Sequence, residues 1–172
     1  MREWIPLSTS AKGRVALVAI REFGRRPFDD VSVGELSSAA GVTTGVLYHH
    51  FGSKLGLYTF VRRDVEQRLF DRMEGARASV GGDPSAAANA ALVVAFDFVV
   101  REELAHLLDV PPSRSEPDRM TEAVASYWPN EARAIASILV AAWRGALAAV
   151  AAGIDVSEVR SALVSISVDA AR

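Results

Sequence analysis

The 172-residue sequence contains no cysteine. That excludes a disulfide framework and any thiolate metal site. Aromatic residues are scarce, at 8%. No stretch alternates apolar and polar residues between turn signals as a strand does, and no segment repeats. The opening stretch "MREWIPLSTS" lacks the apolar run of a secretory signal, so a cytoplasmic protein is expected. Half of the residues are apolar, which excludes disorder as the default and leaves material for a substantial core.

Neither sign of charge dominates overall, since the net charge is −2. Its distribution is uneven. Residues 1–63 carry 9 Lys/Arg against 5 Asp/Glu, and the remainder carry 10 against 16. A basic first third on an acidic body points to an anionic partner for that third. Residues 134–154, "AIASILVAAWRGALAAVAAGI", are long enough to span a bilayer. Arg144 at their middle is costly there, and a buried helix is the expected reading. No membrane partner is expected.

The periodicity predicts an all-α chain. Ala11, Val15, Val18, Ala19 and Phe23 share a face of a first helix that Gly24 can cap, and Pro27 breaks the chain after it. Ser32 and Glu35 have capping-box spacing at the start of a second, short helix that closes at Gly41. Thr43 suits the N-cap of a third helix over 44–50, and two short helices around a tight glycine turn form a helix-turn-helix. Ser53 can cap a long helix over 54–79, with Leu57, Val61, Val65, Leu69 and Met73 on one line and Arg62, Arg63, Glu66 and Arg72 off it. Further helices are expected over 86–107, 118–127 and 129–152, with a loop over 109–118. Gly153 ends the Ala-rich helix. A last helix begins at Asp155 and Ser157, with Val156, Val159, Leu163, Ile166 and Ala170 on one face. Asp97 and Arg101, four apart, are expected to pair.

The segment "GVTTGVLYHHFGSK", 41–54, carries the chemistry. Val46, Leu47 and Phe51 can dock its helix. Thr43, Thr44, Gly45, Tyr48, His49, His50 and Lys54 are left outside. Hydroxyls, imidazoles and a lysine there can donate to phosphates and base edges. Thr43 and Thr44 lie at a helix N-terminus, where free N–H groups favour an anion. This is the pattern of a recognition helix in a major groove. His49 and His50 point about 100° apart on a helix and cannot easily share a metal ion. No nucleophile stands beside a base and an orienting acid in a diagnostic motif. Neither metal, cofactor nor enzymatic activity is expected. An enzyme with an unrecognised site, or a membrane-associated or protein-interaction module, stays as the alternative.

"VSVGELSSAAGVTTGVLYHHFGSKLGLY", 31–58, resembles the TetR family of bacterial transcriptional regulators, with a weaker match in 13–28. The resemblance implies an N-terminal three-helix helix-turn-helix domain, 1–55, joined to a helical effector-binding and dimerisation domain, 56–172. It implies a homodimer on a palindromic double-stranded operator, acting as a repressor and released by a small-molecule effector. Ser32 would touch phosphate, Thr43, Thr44, Gly45, Tyr48, His49 and His50 would form the DNA face, and Lys54 would anchor phosphate. Three positions depart from the common pattern: Gly34, Val46 and Pro27. In the second domain, Phe96, Phe98, His106, Tyr127, Trp128 and Trp143 are candidate pocket residues. Arg144 needs a structural partner or a ligand anion. Ala142, Ala146, Ala149 and Gly153, with the last helix, are the expected dimer seam.

Overall fold

A computed structural model describes residues 9–110, 117–128, 130 and 132–166. Among these residues there are nine α-helices and no strand. In chain order they are α1 Ala11–Arg25, α2 Val33–Ala39, α3 Thr44–Phe51, α4 Lys54–Ser79, α5 Pro84–Arg101, α6 Ala105–Leu108, α7 Arg119–Ala125, α8 Arg133–Ala151 and α9 Val156–Ser165.

The ends of these helices are set by local chemistry. Ser10 caps α1 by accepting from the Gly13 N–H, at 2.9 Å. Ser32 and Glu35 form a complete capping box on α2, with the Ser32 amide donating to the Glu35 carboxylate at 2.8 Å. Gly41 ends α2 at φ 63°, and Val42 N–H reaches back to the Ser37 carbonyl at 3.0 Å. This is a Schellman closure, which only a residue at ease in left-handed backbone makes without strain. Ser53 caps α4 through the Gly56 N–H.

The apolar stripes meet in one core. Val15, Val18, Ala19 and Phe23 of α1 are buried, as are Leu57, Val61, Val65, Leu69 and Met73 along α4. Each large side chain of this kind contributes about 1.5–3 kcal/mol on burial. Long α4 packs along α5, and α6 lies between α1 and α8. Phe23, Phe28 and Tyr58 form an aromatic cluster with centroids 5.1 to 5.8 Å apart, pinning the α1–α2 connection onto α4.

Several expectations are corrected. Gly24 does not cap α1. It is buried inside the helix, and a Cβ there would overlap the Glu103 carbonyl oxygen. The expected 86–107 helix is two helices. The chain turns at Glu103, a non-glycine residue at φ 57°, before α6 begins. The Ala-rich helix starts at Arg133 rather than near Trp128. Arg62 and Glu66, off the apolar line of α4, are nonetheless buried: they are 6% and 7% exposed and pair at 2.9 Å. Arg62 also donates to the Tyr58 hydroxyl and the Val110 carbonyl, and Arg119 reaches the second Glu66 oxygen at 3.3 Å. Every charge in this buried group is thereby compensated.

Asp97 pairs with Arg160 of α9 through two bonds of 2.7 and 2.9 Å, not with Arg101, which meets Glu102. Both α5 and α8 are long and apolar enough to cross a membrane. The charge inside α8 has a protein partner: Arg144 binds Asp118 bidentately. Ala170 and most of the 109–118 loop lie outside the described residues.

Candidate nucleic-acid interface

Helix α3 has two sides of opposite character. Leu47 is fully buried, and Phe51 packs near Phe60, 5.3 Å between ring centroids. Thr43, Thr44, Gly45, Tyr48, His49 and His50 are all exposed. Tyr48 shows half of its surface, an unusual exposure for a large ring. Thr43 occupies the N-cap position of α3, but its side chain makes no capping bond, so its hydroxyl is not consumed there. A methyl group at Gly45 would meet only the Thr43 hydroxyl oxygen, at 3.7 Å, so the surface is open at that point. The His49 and His50 rings stand 5.1 Å apart at 66°.

What holds this face out is mostly cationic. The Arg14 guanidinium of α1 donates to the Ala40 carbonyl at 3.0 Å, at the end of α2. Lys12 stands 4.7 Å over the Phe60 ring. Arg26 lies 3.5 Å from Glu35, and the Glu35 carboxyl is held below its ordinary range by the Ser32 amide first, then the Ser32 hydroxyl. The basic excess of the first third is therefore largely used in building the domain. Sequence reasoning missed these roles, because each partner lies on another element.

The expected contact residues are not equivalent. Ser32 is exposed, with its hydroxyl oxygen accepting from Glu35 N–H at 3.2 Å. Lys54 differs from the expectation of a free phosphate anchor. Its ammonium donates to the Phe28 and Val31 carbonyls at 2.9 and 3.0 Å and lies 4.1 Å over the Phe28 ring. It therefore fastens the α1–α2 connection to the start of α4.

Residues 17–59, which contain α2, α3 and the start of α4, match the family model of bacterial regulatory proteins, tetR family. This N-terminal segment is similar to the tetR-family DNA-binding region. The chain is 32% identical over 91 residues to the HTH-type transcriptional regulator AcrR of Shigella flexneri, covering 53% of this chain and 42% of that protein. It is 36% identical over 76 residues to the HTH-type transcriptional regulatory protein RaaS of Mycobacterium tuberculosis, covering 44% and 34%. The match thus spans less than half the length of either curated relative. The fold extends further than the sequence match. A TetR-like transcriptional regulator from Rhodococcus superposes with a TM-score of 0.67 at 22% identity, over 94% of this chain and 95% of that one. A TetR-family regulator from Pectobacterium atrosepticum gives 0.66 at 20% identity, over 91% and 90%.

Among the described residues, the candidate pocket residues of the C-terminal part do not share one cleft. Phe96 and Trp143 are packed in the core, and Phe98 is buried beneath Arg72, whose guanidinium lies 4.2 Å from its ring. His106 faces Asp109 at 3.6 Å. Burial pushes the Asp109 carboxyl up, against the charge of His106. Tyr127 and Trp128 line a cleft of about 480 Å³ at the end of α4. Arg144 lines a separate cleft of about 410 Å³ between α7 and α8. Phe96, Phe98, His106 and Trp143 line neither.

The residues expected at the dimer seam do not all lie on the outward face of α8. Ala146 and Ala149 face inward and pack on the core. The exposed stripe of α8 is Ala134, Ser137, Ile138, Ala141, Gly145 and Ala148, with Ile138 66% exposed. On α9, Val159 and Leu163 are buried, while Val156, Val164 and Ile166 are exposed.

Proposed function

We propose that the chain is a transcriptional regulator that binds double-stranded operator DNA through α3. The split of α3 carries the reading: one fully buried leucine holds the helix, and six donor-bearing or side-chain-free positions stay in water. Thr43, Thr44 and Gly45 lie at the positive end of the helix and approach phosphate and base edges. Tyr48, His49 and His50 extend the contact along the groove. Ser32 adds a phosphate contact from the start of α2. Lys54 acts through its two carbonyls, by setting where α3 sits relative to α2.

Two copies pair through the exposed stripes of α8 and α9. Their recognition helices then stand roughly 34–36 Å apart, in successive major grooves of a palindromic site. The exposed apolar residues Ile138, Val156, Val164 and Ile166 support this seam. A small-molecule effector in the C-terminal domain shifts the spacing through α4, which begins beside α3 and ends at the 480 Å³ cleft. The output is repression, exerted in the cytoplasm, where the chromosome is. The tetR-family match of residues 17–59 supports this over the enzymatic and membrane-associated readings.

Selection of genomic fragments with the purified chain at low salt tests the proposal. A recurrent palindrome, lost when Thr44 and Tyr48 are both changed to alanine, is the expected result. Failure to retain any fragment removes the reading.

A further inference from the structure

The cleft at the end of α4 has a definite chemistry. Its lining includes the apolar side chains of Val80 and Ala87 and the aromatic ones of Tyr127 and Trp128. Among the described residues its single cation is Arg77, in the last turn of α4, which lies 5.5 Å from the centre of the Tyr127 ring. The single carboxylate among them, Asp83, is occupied in capping α5, where it accepts from the Ala86 N–H at 2.9 Å. The C-terminus of α4 and the N-terminus of α5 both reach the cleft, and their opposite dipole ends offset one another. Arg77 is thus the cation in the lining that a ligand anion would meet.

We propose that this cleft binds a small aromatic carboxylic acid, with its carboxylate on Arg77 and its ring among Val80, Ala87, Tyr127 and Trp128. This deepens, and rests on, the reading of the C-terminal domain as an effector-binding domain. A volume of about 480 Å³ suits a one-ring acid. Guanidinium matches carboxylate geometry in a two-bonded fork, and tyrosine and tryptophan rings favour an aromatic neighbour over an aliphatic one. The Tyr127 phenol stays protonated, and so able to donate, across the physiological range. Burial, then the Glu74 charge, pushes it up to about 12 against the opposing pull of Arg77. Glu74 lies 3.5 Å from Arg77 and competes with the ligand for it.

The test is calorimetry on the full chain, without DNA, using benzoate, benzamide and benzylamine as probes. Benzoate should bind saturably and at least about tenfold tighter than benzamide, with benzylamine weakest. Arg77→Met should abolish the preference for benzoate over benzamide, and Glu74→Gln should strengthen benzoate binding. Both side chains are exposed, so circular dichroism of each variant should match that of the parent. Absence of saturable benzoate binding, equal binding of benzamide, or an unchanged preference in Arg77→Met overturns the proposal. DNA binding is measured afterwards. Benzoate uptake without any change in DNA affinity upholds the site and removes only the effector reading.

Discussion

Arg144, at the middle of the Ala-rich helix α8, places two guanidinium nitrogens 2.7 and 2.8 Å from the two carboxylate oxygens of Asp118. Asp118 also caps α7 and accepts from the Thr121 hydroxyl at 2.7 Å. One carboxylate thus fixes α7 to α8. Burial pushes this carboxyl up, but the bonds from Arg144 and Thr121 and the Arg144 charge outweigh that effect, and it titrates below its ordinary 3.8.

A depressed carboxyl contributes stability that is present above the unfolded value and is lost as pH falls through the folded one. Asp118→Asn should therefore cost about 1–3 kcal/mol at neutral pH and progressively less below pH 4. Asp109 has the opposite sign. Its raised carboxyl favours the folded state at low pH and loses that contribution as pH rises through the folded value. Asp109→Asn should leave stability unchanged or raise it slightly at pH 7. Urea titrations at pH 3.5 and 7 separate the two, and parallel pH profiles for the variants would count against both assignments.

Lys54 and Thr44 should part company in a paired measurement. Lys54→Ala removes two carbonyl contacts and a cation over a ring, and should lower stability by about 1–3 kcal/mol. Thr44→Ala should leave the melting temperature unchanged and weaken discrimination among operator variants in filter binding. A thermally silent Lys54→Ala would return that residue to the role of a free phosphate anchor.

Gly24 should tolerate no side chain. The overlap of a Cβ with the Glu103 carbonyl oxygen sets Gly24→Ala at about 1–3 kcal/mol, a fall of roughly 2–12 °C in melting temperature. Gly75, exposed within α4, is the control, because a methyl group there would have nothing within 4 Å. Gly75→Ala should stabilise by about 0.5–1 kcal/mol through helix propensity.

The seam has its own discriminating pair. Ile138→Arg and Val164→Arg place charge on exposed positions and should yield folded monomers by sedimentation. Leu163→Arg buries a charge inside the chain itself, because Leu163 is 5% exposed, and should unfold rather than dissociate the protein. Folded dimers from the first two variants would move the seam elsewhere.

The parts that could be read from the sequence are those decided within a turn of helix. The Ser32–Glu35 box, the Gly41 closure and the four-residue line from Leu57 to Met73 all stand as expected. So does the outward face of α3, whose exposure follows from one anchoring leucine. What stayed hidden depends on partners far along the chain. Glu103 turns the backbone with no glycine or proline to announce it, at the point where that backbone rests against Gly24. Arg62 and Glu66 have the spacing of a surface pair, yet Arg62 is covered by Val110, 48 residues away. Asp97 ignores a cation four residues on for one 63 residues distant. The outward face of α8 lies about one residue from the expected one, since in an alanine-rich helix composition barely distinguishes inside from outside.

The residues of α3, "TGVLYHHF", include no lysine or arginine, and the one lysine close behind them is turned toward the protein's own backbone. Under the proposed function, arbitrary chromosomal sequence would offer this helix little to cling to. Residence time would then depend on fit, with a wrong address abandoned quickly.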